Sequence, residues 1–384
     1  MRVVQVVHGT FHHFDLAREL YARGHLQHIY SGFPWRRLER EGLPRDRVST
    51  FPWIHTSLVL LGRYWRMPQT TLAYLGYQNS VQLDNRVASR IEDCDVVVGL
   101  SNSALKTGRL VQSRGGKYVC DRGSSHVRYQ DAIVSEEYRR WGVLPLISDE
   151  RSLRRQEAEY AAADAITVPS EFARRSFIEM GVSPEKVVKI PYGVQLSRFH
   201  PTKPPSTDPF DVLFAGSVSL RKGVPYLLQA FQRLKHPRKR LRIVGAVDPD
   251  TLAILQRLGL DNVEILGSVL QEKLAEYMSS SHVMVLPSIE EGLALVQAQA
   301  MACGCPLISS VNTGGEDLFE DGVEGFLVPI RSPEAIHDRL AQLVDDPELQ
   351  RRMSAAALLR VQSLGGWTTY GENYTAFLQR LIAG

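Results

Sequence analysis

The sequence predicts an α/β protein of two domains, each a parallel sheet covered by helices. Three observations predict it. The chain has 384 residues, which at about 150 residues per domain suggests two to three domains. Short apolar, β-branched runs alternate with segments of helical periodicity, the pattern of parallel sheets with helices on both faces. One stretch, His200–Pro209, holds four prolines and no apolar periodicity, so it is the best candidate for a stiff linker.

The elements follow in order. Val3–Val7 has the pattern of a buried strand, and Phe14–Arg23 places Phe14, Leu16, Ala17, Leu20 and Tyr21 at helical spacing, with Gly24 as a stop. Val96–Leu100, Tyr118–Cys120 and Ala165–Val168 repeat the strand pattern, with helical segments at Ser103–Gln112 and Ser148–Ala163. After the linker come strands at Val212–Ala215, Leu241–Val244, Glu264–Leu266, Val283–Leu286 and Pro306–Ser309. Helices are expected between them at Pro225–Leu234, Pro249–Leu258, Gln271–Ser279 and Leu295–Ala302, and a final helix at Asn373–Ile382. The domains are thus 1–204 and 205–369, with the last helix, about 370–384, packing back on the first.

Composition narrows the class. Hydrophobic residues make up 44% and charged residues 23%, ordinary for a globular chain, which excludes a disordered tail, a collagen-like repeat and a small disulfide scaffold. Four scattered cysteines are too few for a disulfide framework, so a reducing cytosol is expected. No uncharged apolar run reaches the 18 residues of a membrane span, and the N-terminus reads as a strand running into a helix, without a signal peptide's apolar region. The net charge of +3 hides an asymmetry: residues 1–200 carry 28 Lys and Arg against 21 Asp and Glu, whereas 201–384 carry 17 against 21. The halves differ in sign, which points to different partners.

The chemistry concentrates at 283–329. A strand ends at Pro287, a loop carries Glu290, Glu291 and Gly292, and a helix begins near Leu295. Ligands of parallel α/β sheets sit beyond the carboxyl ends of the strands, and a glycine at a helix mouth lets an anion reach exposed N–H groups. Glu291 is placed to accept from ligand hydroxyls, and Gln299, eight residues on, would share its helical face. The plainer alternative is that both glutamates complement the helix dipole and Gln299 is solvated.

These residues resemble the donor-site signature of family-four retaining glycosyltransferases of the GT-B fold. Pro287, Ser288, Glu291 and Gly292 match its Pro-Ser-x-x-Glu-Gly loop, and Ala300 to Gly304 with Pro306 match the segment that follows. Gly314-Gly315 and Asp321-Gly322 through Gly325-Phe326-Leu327-Val328-Pro329 match as well. Phe214–Gly223 is similar to the family's phosphate loop, with Ser217 where arginine is usual and Arg221 beside Lys222. Ala163–Ser170 and Val187–Phe199 resemble the approach between the domains, with Tyr192 in place of asparagine. Gln299 departs from the second glutamate of the signature.

The resemblance implies two Rossmann-like domains facing across a cleft, and transfer of a sugar from a nucleotide diphosphate donor with retention at the anomeric carbon. Lys222 and Arg221 would neutralise the diphosphate as it leaves. Glu291 would hold the hydroxyls of the transferred sugar. Gly216, Ser217, Gly292, Leu293, Ala294 and Leu295 would line the donor, the backbone N–H groups of Gly292 to Ala294 approaching sugar and diphosphate. Gln299 would contact the ribose more weakly than a carboxylate does. The donor is a co-substrate, and no metal or other cofactor is implied. Other outcomes are epimerisation or hydrolysis of a nucleotide sugar, or a non-catalytic binding subunit.

The N-terminal half would hold the acceptor, a glycan, a lipid-linked saccharide or a small molecule, such as those of bacterial surface polysaccharide or glycolipid synthesis. His8 to His13 follows the first strand, and the family's glycine-rich loop is reduced here to Gly9. Gly9, Thr10 and His13 are acceptor-side candidates. The histidines are read as cleft residues rather than metal ligands, because no nearby Cys or carboxylate completes a set. Asp121, Arg122, Ser124, Ser125 and His126 crowd the end of another strand. Asp121 is a catalytic candidate, and Arg122, Ser124 and His126 are acceptor-side candidates, against a plain polar turn. Between Phe33 and Met67 aromatic and basic residues interleave. With no nucleic-acid motif present, an anionic membrane surface, at the inner face of the membrane of a cytoplasmic protein, stands against an ordinary packing helix with a basic rim.

Overall fold

A computed structural model describes residues 1–53, 68–145, 148–195 and 197–384. The segment Leu58–Met67, which carries much of the expected membrane-binding pattern, lies outside the described residues. Those nearer its start are described: the Arg37 guanidinium lies 3.7 Å from the Phe33 ring centre and that of Arg45 4.8 Å from Trp35, so part of the basic run is spent covering aromatic rings. Among the described residues no helix is long and apolar enough to cross a membrane.

The strands are β1 (Val3–Val7), β2 (Leu26–Ser31), β3 (Val48–Thr50), β4 (Val96–Leu100), β5 (Lys117–Asp121), β6 (Ala165–Val168) and β7 (Val187–Lys189) in the N-terminal half. The C-terminal half has β8 (Phe210–Ala215), β9 (Lys239–Val244), β10 (Val263–Gly267), β11 (Val283–Leu286), β12 (Leu307–Ser310) and β13 (Gly325–Val328). They form two all-parallel sheets, ordered β3-β2-β1-β4-β5-β6-β7 and β10-β9-β8-β11-β12-β13. Each has helices against its faces, as two Rossmann-like units require. The central strands are fully buried (Val3, Val4, Val6, Val96–Val98, Val283–Leu286), which is why they read as continuous apolar runs.

The polypeptide between β7 and β8 includes the proline-rich stretch, and Thr202 N–H bonds Ser279 Oγ of the second half at 2.9 Å. The last helix, Trp367–Ala383, packs on Phe11–Ala22 of the first half and buries Tyr370, Tyr374, Phe377 and Leu378 in the core beneath β1.

Each sheet reverses its winding at one place, between β1 and β4 in the first and between β8 and β11 in the second. A crevice forms where neighbouring loops part in opposite directions. The segments that leave these strands are residues 8–12 and 101–104 in one half, and 216–222 and 287–295 in the other.

Candidate active site

After β8 the chain turns at Gly216 and runs through Leu220–Lys222 into the helix Val224–Arg233. Gly223 makes this turn possible: its φ is +65°, and a Cβ there would lie 2.0 Å from the Pro287 carbonyl oxygen. The turn hangs Lys222 beside the loop after β11, where its ammonium contacts Glu291. Ser288 Oγ donates to Glu291 Oε1 at 3.3 Å within the loop, and Ile289 N–H donates to the Arg221 carbonyl at 2.8 Å, which ties the two loops together. Burial and the neighbouring Arg221 push the Lys222 ammonium down from its ordinary value, and Glu290 opposes them.

Two cavities meet at this loop. The first, about 480 Å³, is lined by Gly216, Lys222, Gly245, Ser268, Glu291 and Leu293 to Val296. The second, about 530 Å³, is lined from the N-terminal half by Phe11, His12, Arg122, Ser124 and Gln130, and from the C-terminal half by Arg221, Glu291 and Gly292. Glu291, Leu293 and Leu295 border both.

The halves are joined beside the junction by Glu290, which is fully buried. Its carboxylate accepts from Ser124 Oγ at 2.5 Å, Ser125 N at 3.2 Å, Ser125 Oγ at 2.7 Å, Gln130 Nε2 at 2.7 Å and Arg221 at 3.1 Å. Burial pushes this carboxyl up, but Arg221, Ser124, Gln130 and Ser125 outweigh burial and hold it below its ordinary value. The dipole partner expected from sequence is therefore an ionised tie between domains. Arg221, expected on the diphosphate, is held by this carboxylate and lines the second cavity.

The expected donor residues separate. Gly216, Lys222, Glu291, Leu293, Ala294 and Leu295 line the first cavity, while Gly292 lines the second. The Ala294 N–H is already given to the Thr313 carbonyl at 3.1 Å, so it is not free for a ligand. Ser217 is exposed and Gln299 half-buried, and neither lines either cavity. The helix runs Val296–Ala302, so residues 291–295 are loop and the two-turn spacing between Glu291 and Gln299 does not hold.

On the other side Arg122 and Ser124 line the second cavity as expected. Asp121 does not reach it. Its carboxylate is 4% exposed and takes bonds from His12 Nε2 at 2.5 Å and Thr167 Oγ1 at 2.6 Å. Burial pushes this group up, but His12, the bond from it, His13 and Thr167 hold it below its ordinary value. His13 is fully buried, 3.7 Å from Asp121, and burial and His12 push it down to about 3. The physical reason is register: His13, Leu16, Ala17 and Leu20 share one buried stripe of the helix Phe11–Ala22. His12 faces the cavity in its place.

His126 is buried among Tyr160 and Phe177, caps the helix Val127–Arg140 through Nδ1, and is pushed by burial and Arg122 down to about 4. It belongs to the core. Gly9 and Thr10 form the turn before the first helix, with the Gly9 carbonyl bonded by Ser31 Oγ at 2.9 Å, and do not line the cavity. Sequence reasoning missed Gln130 and Phe11; it put His12 in the cleft with the other histidines but chose His13 as the candidate, and it read Glu290 as a dipole partner rather than a tie between the halves. Phe11 is 63% exposed on the cavity wall, with φ +44°, a backbone conformation unusual for a bulky residue.

A cavity of nucleotide size with a half-buried cation, abutting a polar cavity lined from a second parallel sheet, is the arrangement of a group-transfer enzyme of the GT-B type. The comparisons agree. The family description "Glycosyltransferase Family 4" matches residues 9–198 and "Glycosyl transferases group 1" matches 197–360. Together they run through most of the chain, which belongs to this glycosyltransferase family. One relative is the "MMP alpha-(1->4)-mannosyltransferase" of Mycolicibacterium hassiacum, 27% identical over 96% of this chain and 93% of that one. Another is the "D-inositol 3-phosphate glycosyltransferase" of Streptomyces griseus, 38% identical over 43% of this chain and 39% of that one. In structure the chain is similar to sucrose-phosphate synthase of Thermosynechococcus elongatus, with a TM-score of 0.74, 22% identity and full coverage of both chains. It is also similar to Anabaena HepE in complex with UDP, with a TM-score of 0.69, 17% identity and coverage of 99% and 100%. These likenesses show the fold.

Proposed function

We propose that this glycosyltransferase moves a sugar from a nucleotide diphosphate donor in the first cavity to a hydroxyl of a saccharide, a lipid-linked saccharide or a small molecule in the second, with retention at the anomeric carbon. The donor domain is 205–369, and the acceptor domain is 1–204 with the last helix. The observation that carries the reading is the position of Glu291, in contact with Lys222 and on the wall of both cavities. That is where the sugar must lie if the diphosphate is on one side and the acceptor on the other.

Lys222 is the diphosphate's partner in this reading. Held by Glu291 before the donor arrives, its ammonium is free to move to the incoming phosphate, where it offsets the charge that grows as the bond to the sugar breaks. Glu291 then accepts from the sugar's hydroxyls and fixes the anomeric carbon toward the second cavity. A neighbouring fold that holds UDP supports starting the donor search with UDP-sugars.

The test is release of nucleoside diphosphate from a panel of UDP-, GDP- and ADP-sugars. We expect turnover of at least one donor, lost by about a hundredfold or more in Lys222→Ala and in Glu291→Ala. Full activity in either variant would show that the donor site is misplaced.

A further inference from the structure

A further cavity lies apart from the two above, near the amino ends of β8 and β9. It is about 470 Å³ and shares no lining residue with either of them. Arg240 and Arg242 reach its wall from β9, Lys273 and Tyr277 from the helix Gln271–Ser279, and Lys203 from the polypeptide that joins the halves. Two arginines on one face of a covered strand are unusual. Val244, further along the same face, packs with Ala275 and Met278 in the core.

The carboxylate beside them accounts for only one of the two. Asp211 is 2% exposed and accepts from Arg240 Nε at 2.7 Å and Nη2 at 2.9 Å, a complete two-point pair. The Arg242 guanidinium gives no hydrogen bond among the described residues. The carboxylate oxygens beside it are those of Asp211 at 3.4 Å and Glu264 at 3.7 Å, and its Nη1 is buried and unpaired. A guanidinium 10% exposed with unused donors is costly unless something else accepts from it. Lys203 is exposed and has no partner among the described residues. Glu276 also lines the cavity, but it is paired with Lys273 at 2.5 Å.

We propose that this cavity binds a phosphoryl group, free or carried by a small ester, with Arg242 and Lys203 as its principal donors. The chemistry favours phosphate over carboxylate. One arginine fork matches a carboxylate, as Arg240 does with Asp211, whereas a phosphoryl group offers three oxygens to donors from several directions. Here the unspent cations come from a strand and from the joining polypeptide. The rest of the cavity has room for the body of an ester, with the Tyr277 ring and the hydroxyls of Ser206 and Ser280 on its wall. A ligand there would rest between the joining polypeptide and the C-terminal half. The site does not depend on how the first two cavities are assigned.

The experiment is a thermal-shift titration, since a ligand of the folded state raises Tm by mass action. Wild type, Lys222→Ala, Lys203→Ala and Arg242→Met are titrated with glucose 6-phosphate, inorganic phosphate, glucuronate and glucose, at an ionic strength held constant with chloride. We expect both phosphates to raise Tm saturably in wild type, and as much in Lys222→Ala, whose change lies in the first cavity. Arg242→Met leaves Asp211 its Arg240 pair and should weaken the apparent affinity by about tenfold or more. Lys203→Ala, a surface change, should weaken it by about threefold. A larger response to the ester shows that the whole cavity is used, and an equal one that the phosphoryl group is the entire ligand; both support the site. No saturable shift with either phosphate, or an equal response to glucuronate, overturns it. So does a response lost in Lys222→Ala and kept in Arg242→Met, which puts the phosphate in the first cavity. If Arg242→Met does not fold, the double variant Lys203→Ala with Lys273→Ala takes its place, and unchanged affinity there overturns the proposal.

Discussion

At the scale of residues, neighbours in sequence take unrelated work. His12 reaches the cavity while His13 lies in the core; Glu291 faces the ligand space while Glu290 ties the domains. The difference follows from which side of a helix or loop each side chain leaves. For the histidines it was present in the spacing of His13 with Leu16, Ala17 and Leu20. For the glutamates it was not, because the partners of Glu290 come from residues 124–130, some 160 positions away. His126 carries a testable consequence of burial. Folded, it is held down to about 4, whereas the unfolded chain takes up its proton near 6.5. The unfolded state therefore binds more protons as pH falls through this window, and stability drops by about 1.4 kcal/mol per unit until about pH 4. In urea titrations at pH 7 and pH 5, wild type should lose about 2 kcal/mol more than His126→Asn, whose side chain can keep the helix cap. Equal losses would show that His126 is not held neutral.

At the scale of elements, the buried parallel strands were legible because both their faces are covered and their sequences are continuously apolar. Val96–Leu100, Ala165–Val168 and Val283–Leu286 have the boundaries expected of them. What escaped is physically different. β3 and β7 are three-residue edge strands, and the helix Gln69–Ala88 buries Ser80 and Asp84 as well as Leu83 and Val87, which blurs its apolar stripe. The helices Pro333–Asp345 and Pro347–Ser363 have start signals in the sequence, Ser332 and Asp346 each capping a helix with proline at its first position. The loop after β11 shows how closely the elements of the two halves approach: a Cβ on Gly292 would lie 1.9 Å from the Gly123 carbonyl oxygen. Gly292→Ala should force these loops apart, lowering turnover by about tenfold or more, because transfer tolerates little misplacement. Nucleotide binding in the first cavity should change little. Wild-type turnover would show that the close approach is not used.

At the scale of the molecule, the charge split runs against the division of labour. The N-terminal half carries the surplus of basic residues, yet the anionic donor is assigned to the acidic C-terminal half. Local placement of Lys222 must therefore outweigh the sign of the whole domain. The halves are held together near the site by Glu290, by Ser170 Oγ on the Gly292 carbonyl, by Lys189 on Asp317 at 2.6 Å and by Arg331 on Glu137 at 2.7 Å. Of these, Glu290 and Glu137 are fully buried, and buried charged ties fix an arrangement more than they add stability. The direct measurement of this division of labour is calorimetric titration of a nucleoside diphosphate into wild type, Lys222→Ala and Arg122→Ala. A donor site on the C-terminal half predicts that Lys222→Ala weakens binding by about tenfold or more, while Arg122→Ala, across the cleft, binds as wild type does. Weakened binding in Arg122→Ala with unchanged binding in Lys222→Ala would contradict it.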